Sequence, residues 1–280
     1  MALRNWKRSC SGMGIPIDDT FLFTLSFADD QAIVAQDSYD MEFMLRRLYI
    51  EYEKWGLQIS LEKTEYLVVN AETRFDILIN DETRVKQVDK FKYLGVMIDK
   101  DGIGKLEKQM RIQNARKVIG ALNSIWWDKN ISLKNKKYIG QTMVETVLTY
   151  GCEVWTLKEE DKRRLTAIEM DYLRRSTRRS RIERIRNEEI RKEMSAKETV
   201  VERVEKRSLK WFGHMLRMDD ERWPKRIFNW KPPGRNRRGR PRKSWNEAIR
   251  QAMRERNLDE EMAYNREAWK TGMGMRHLAV

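Results

Sequence analysis

Hydrophobic positions change period along this chain, and the change divides it. Phe21, Leu22, Phe23, Leu25 and Phe27 form an apolar run that predicts a buried strand, and Ala32, Ile33, Val34 and Ala35 predict a second. Asp29 and Asp30 then fall at a hairpin tip. After Ser38, a good cap residue, Met41, Met44, Leu45, Leu48, Tyr52 and Trp55 recur at helical spacing, with Gly56 placed to end the helix. Tyr66–Val69 predicts a strand. Phe75, Ile77 and Ile79 predict another, which turns at Asn80-Asp81 toward a return strand through Val85 and Val88. Tyr93–Ile98 predicts one more, stopped by the Asp99–Gly102 turn.

From Gly104 onward the period is helical. Leu106, Met110, Val118, Ile119, Leu122 and Trp126 predict one long helix, and Tyr138, Ile139, Met143, Val144, Val147 and Leu148 a second, broken near Gly151. Further helices are expected around Leu165, Ile168 and Leu173, and around Val200, Val204, Leu209, Trp211 and Phe212. The charged stretch 174–191 reads either as a solvated helix or as a loop. Pro224, Pro232, Pro233, Gly234, Gly239 and Pro241 break regular structure before a last helix from Trp245 to Arg256. The fold class is therefore α+β, a partial antiparallel sheet with one packed helix followed by helices alone. Segments are expected at 1–103, 104–156 and 157–280.

Charge sharpens this division. The 280 residues carry a net +14, yet residues 1–156 hold 22 Lys and Arg against 22 Asp and Glu. Residues 157–280 hold 35 against 21 and so supply the whole excess. A neutral module precedes one that seeks polyanions. From Lys231 to Lys243 there are seven cations (Lys231, Arg235, Arg237, Arg238, Arg240, Arg242 and Lys243) and no acid. Pro and Gly keep this stretch extended, suited to following a phosphate backbone or a groove. Trp223, Trp230 and Trp245 flank it and can stack on bases. Arg238-Gly-Arg-Pro241 also has the form of a minor-groove hook. A solubilising tail is the plainer alternative.

No apolar run reaches the ~18 residues of a membrane span, and the charged start lacks a signal-type apolar core, so no membrane partner and a nuclear or cytoplasmic location are expected. Cys10 and Cys152, distant from each other and with no Cys/His spacing around them, argue against a disulfide framework or a zinc site.

The residues with most chemistry are the adjacent Asp29 and Asp30. No Lys or Arg lies between Arg8 and Arg46, an interval that also holds Asp18, Asp19, Asp37, Asp40 and Glu42. Two neighbouring carboxylates can hold a hard cation such as Mg²⁺. They can equally form a solvated turn, because water tolerates both charges.

Phe27-Ala-Asp-Asp-Gln31 after an apolar strand resembles the catalytic palm hairpin of reverse transcriptases from non-LTR (LINE-like) retrotransposons. Trp55–Thr64 and Lys92-Tyr-Leu-Gly-Val96 resemble the next two palm motifs, in family order. Cys10–Pro16 resembles the approach to the hairpin, and Tyr150–Trp155, Trp211–Met218 and Arg238–Trp245 resemble stretches beyond the polymerase core. The resemblance implies an RNA-directed DNA polymerase that joins deoxynucleotides at two Mg²⁺ ions, on an RNA template and a DNA target. It makes segment 1–103 half a palm, segment 104–156 a thumb and segment 157–280 a basic nucleic-acid-binding region.

By that resemblance Asp29 and Asp30 are metal ligands. Lys63 protonates the departing pyrophosphate or contacts the incoming nucleotide, and Tyr93, Leu94 and Gly95 press on the primer end. Alone, Lys63 reads as an exposed loop lysine and Gly95 as a strand kink. The family also needs a third aspartate from an earlier palm strand. Only 28 residues precede Asp29 here, and Asp18 and Asp19 lie too near the hairpin to serve. The expectation is a fragment that binds nucleic acid and does not polymerise alone. The alternative is a nucleic-acid-binding protein or decayed remnant without catalysis.

Overall fold

A computed structural model describes residues 2–70, 75–102, 104–231 and 243–275. In chain order, α1 (Ala2–Ser9) leads into β1 (Ile15–Ile17), β2 (Thr20–Leu22), β3 (Thr24–Phe27) and β4 (Asp30–Ile33). Then come α2 (Ser38–Lys54), β5 (Glu65–Tyr66), β6 (Lys86–Gln87), β7 (Lys90–Tyr93) and β8 (Val96–Asp99). Helices follow: α3 (Lys105–Ala121), α4 (Asn123–Trp127), α5 (Leu133–Ile139), α6 (Thr146–Leu148), α7 (Glu159–Thr177) and α8 (Asn187–Glu193). The last are α9 (Val200–Leu216), α10 (Trp223–Asn229), α11 (Trp245–Arg254) and α12 (Arg266–Gly274). This is an α+β chain with a mostly helical second part. No helix among the described residues is long and apolar enough to cross a membrane.

The chain divides into two compact units, Met1–Gly104 with Glu221–Pro233, and Lys105–Asp220 with Gly234–Val280. In the first, strands pair only two at a time: β1 with β2, β3 with β4 and β7 with β8 antiparallel, and β5 with β6 parallel. Isolated two-stranded ribbons are marginal, so their stability comes from what packs on them. Here α2 does that work. Its stripe splits between two small cores, Trp6, Cys10, Met44 and Leu48 on one side and Leu45, Tyr66, Ile77, Ile79 and Val85 on the other. The Trp6 indole N–H donates to Met44 O at 2.8 Å, tying α1 to α2.

Several expected elements differ. The cap of α2 is Asp37, whose side chain accepts from the Asp40 N–H, rather than Ser38. The run Phe21–Phe27 is two strands broken at Phe23, each in its own hairpin, and β3 is not buried: Leu25 is 41% and Phe27 63% exposed. Tyr93–Ile98 turns back on itself instead of running straight. Phe75–Ile79 forms only a single bridge, Leu78 to Arg84, although Ile77 and Ile79 are buried. Pro224 opens a helix rather than ending one, in the first turn where its missing N–H costs nothing. From that helix Arg226 donates to Ile17 O (3.1 Å) and Asp19 Oδ1 (2.9 Å).

The second unit has one large core. Ile112, Ile119 and Trp126 meet Val144, Leu148, Leu165, Ile168, Leu173, Val200 and Val204, so the residues on both sides of position 156 share it. The long helix expected to Trp126 breaks at Leu122, which buries Trp126 and leaves Trp127 half exposed. Between α5 and α6 the chain widens into a π-helix, Gly140–Glu145, where Gly140 lies against the Tyr172 ring with no room for a Cβ. The stretch left open at 174–191 holds the end of α7, a 3₁₀ turn at Arg181–Glu183 and the start of α8. Phe212 faces Trp245 and Trp269 at 6.2 and 6.4 Å, so α11 and α12 complete the unit on α9. His214 is exposed beside Trp211.

Inside this core sits an ion cluster. Glu169 is fully buried and accepts from Arg191 Nη2 (2.7 Å), Arg203 Nη2 (2.9 Å) and the Val200 N–H (2.8 Å). Arg203 Nη2 also donates to Glu145 Oε1 at 2.8 Å, and the Tyr172 hydroxyl donates to the same oxygen. Burial pushes the Glu145 carboxyl above its ordinary range, against the opposing pull of Arg203 and Tyr172. Breaking such a cluster leaves charge buried without its partner. The Arg203→Met variant should lose about 3–5 kcal/mol in urea unfolding; a loss below ~0.5 kcal/mol would show that the cluster does not hold the unit together.

Candidate functional site

The aspartate pair is set by hairpin register. Phe27 pairs with Asp30, which leaves Ala28 and Asp29 as a two-residue turn. Ala28 takes the left-handed conformation (φ +51°) that such a tight reversal requires. The ribbon is anchored from behind, where Gln31 Nε2 donates to Thr24 Oγ1 (3.1 Å) and the Tyr52 hydroxyl of α2 donates to Gln31 Oε1 (2.8 Å).

The second hairpin pairs Tyr93 with Val96 and turns at Leu94-Gly95, with φ of +47° and +81°. Two successive positive φ values make the tight turn that suits the strand twist, and glycine accepts one at no steric cost. The fold brings these two predicted groups together. The Tyr93 hydroxyl donates to Leu25 O at 3.5 Å, a weak bond. Burial, and then the Asp30 charge, raise the Tyr93 phenol above its ordinary pKa.

Asp29 and Asp30 themselves are exposed. Two carboxylates a few ångströms apart in water repel by about 1 kcal/mol, so the tip needs no bound cation to persist. Among the described residues no group of three His, Cys, Asp or Glu side chains could hold a metal ion. Two aspartates at an open tip do not fix two ions ~4 Å apart. The pair present does not fit the two-Mg²⁺ site that the resemblance implies.

Lys63 is exposed in a turn where its own N–H and that of Thr64 reach Ser60 O at 3.1 and 3.0 Å. Its side chain makes no hydrogen bond or salt bridge among the described residues, and nothing ties it to the hairpins. Of the basic run, Lys231 is exposed within the first unit, and Lys243, in the second, donates to Gln251 Oε1 at 3.0 Å. Arg235, Arg237, Arg238, Arg240 and Arg242 lie outside the described residues.

The sequence reading passed over one basic surface. Along α7, Leu165, Ile168, Tyr172 and Leu173 are buried, while Lys162, Arg163, Thr166 and Arg174 lie along one edge of that buried stripe. With Arg181 and Asn187 they line an open cleft of about 500 Å³. The signal was available: 100° per residue puts these cations within one ~120° arc of the helix. It was masked by the neighbouring acids Glu159, Glu160 and Asp161, which suggest a mixed, solvated helix.

Comparison with known proteins finds two likenesses. The chain is 27% identical over 252 residues to a putative uncharacterized transposon-derived protein of Caenorhabditis elegans, covering 86% of this chain and 88% of that protein. It is 32% identical over 127 residues to a retrovirus-related Pol polyprotein from the type-1 retrotransposable element R1 2 of Nasonia vitripennis, covering 40% of this chain and 31% of that protein. No family model matches the chain. No solved structure matches it. The two likenesses support a retrotransposon-related origin.

The contact between the hairpins is directly measurable. In the Asp30→Asn variant the Tyr93 phenol should titrate at lower pH than in the wild type while staying above an ordinary tyrosine, because burial remains. A tyrosine-specific NMR titration that does not move would separate the two hairpins.

Proposed function

We propose that this chain is a retroelement-derived nucleic-acid-binding protein, equivalent to the C-terminal part of a non-LTR reverse transcriptase, and that it does not polymerise DNA by itself. The partners are an RNA template or a DNA target, in the nucleus or cytoplasm. The reading is supported by the ordered series of palm-like and downstream stretches, together with the two transposon-related likenesses.

The observation that carries the binding half is how the helical unit disposes of its charge. Several of its acids are paired inside the unit, as Glu169 with Arg191 and Arg203, Asp161 with Lys108, and Glu205 with Arg256. The surplus of cations faces water, where Arg163 and Arg181 are exposed and form no salt bridge among the described residues. A surface of that kind gains free energy from phosphate by releasing counterions. The catalytic half of the resemblance lacks equivalent support, because positioning supplies most of the rate in phosphoryl transfer and two open-tip carboxylates position little.

Two assays on the purified chain test this. Primer extension on an RNA template should give the same background for wild type and Asp29→Ala. Nucleic-acid binding should weaken steeply with salt, by about 0.9 log units per log unit of salt for each duplex phosphate contacted. Metal-dependent extension abolished by Asp29→Ala would overturn the non-catalytic reading; absent or salt-independent binding would overturn the binding one.

A further inference from the structure

We infer that the α7 cleft is itself a seat for a nucleic-acid phosphodiester backbone, separate from the basic run at 231–243. The inference rests on the nucleic-acid reading above and locates it on particular side chains. Lys162, Arg163, Arg174 and Arg181 line the cleft with the polar Thr166 and Asn187, and no carboxylate does. Lys162 is held by Glu159 at 2.9 Å. Arg163 and Arg181 form no salt bridge among the described residues, so both can meet an anion without breaking an existing pair.

Arg174 is the built element. Its Nη2 is fixed by Ile185 O at 2.7 Å and Asn187 Oδ1 at 3.1 Å, which locks the guanidinium plane in the wall. Held there, Arg174 adds a fixed positive charge to the wall of the cleft, a group of the kind that pairs with phosphate oxygens.

The shape selects a polymer over a single phosphate. Lys162 and Arg174 are twelve residues apart on one helix, about 18 Å along its axis. Phosphates follow one another every ~3.4 Å along each strand of a duplex, so a backbone lying in the cleft presents several of them to these cations. An open, elongated cleft with charges spread along it suits such a chain, whereas an isolated phosphate is better held where donors converge.

The test uses the full chain and a fluorescein-labelled 20-nucleotide unpaired RNA. Arg163→Gln/Arg181→Gln removes two exposed cleft cations and leaves Arg174 in place. Arg116→Gln/Lys117→Gln, at exposed positions on α3, removes the same charge elsewhere. Circular dichroism melting must be unchanged in both. The cleft variant should bind at least about tenfold more weakly, with the salt slope reduced by about 1.4, while the control stays within about twofold. Equal losses in both variants, or none in the cleft variant while wild type binds, would overturn the cleft assignment and leave the nucleic-acid reading standing. Wild type that fails to bind RNA or DNA would overturn both. A cleft variant that loses binding to phosphatidylserine vesicles but keeps its RNA affinity would give the cleft to lipid and also overturn the inference.

Discussion

Glu169 is a fully buried acid, and the helical unit is arranged around pairing it. Arg191 from α8, Arg203 from α9 and the Val200 N–H at the start of α9 all converge on this one carboxylate of α7. Arg203 continues to Glu145 in the π-helix, so four elements are joined through two carboxylates and two guanidinium groups. Removing two such ions from water is costly and is offset only when geometry and extra hydrogen bonds are good. The arrangement therefore specifies how α7, α8 and α9 meet. That specification has a surface consequence, because a helix whose inner acid is fixed is fixed in rotation too, and Lys162, Arg163 and Arg174 lie along the edge of its buried stripe, on the basic cleft.

The first unit obeys a different constraint. Its apolar residues are divided between two small cores, and its strands pair only in twos. Leu25, Phe27 and Leu94 stay exposed around the paired hairpins, where a larger sheet would cover them. The acidic tip lies open to solvent. Charge at the hairpin and charge on α7 thus differ in kind: the first is repulsion tolerated in solvent, the second a row of cations of which Arg163 forms no salt bridge among the described residues.

Much of this was legible from residue pattern, and the failures have physical causes. The α2 stripe was readable because Met41, Met44, Leu45 and Leu48 leave no alternative period. The hairpin tip was readable because acids interrupt an apolar run. The break at Phe23 was not, since alternation gives a strand's faces and says nothing of which neighbour it pairs with. The turn at Leu94-Gly95 was hidden by a leucine at positive φ, an uncommon place for a bulky residue. Ile77 and Ile79 are buried although the strand expected there forms only a single bridge, because burial needs alternation and a ladder needs a partner. Asp19 seemed to have no cation; its partner Arg226 stands 207 residues away, beyond any local reading.

Binding through the helical unit, with the acidic hairpin a bystander, is the claim from which the rest follows. Photocrosslinking of a thiouridine-substituted RNA to the intact chain, with peptides mapped by mass spectrometry, addresses it most directly. Crosslinks should concentrate in residues 162–187 and in the 231–243 stretch. Crosslinks confined to residues 25–33 and 92–96 would contradict this account and restore the hairpins as the site of contact.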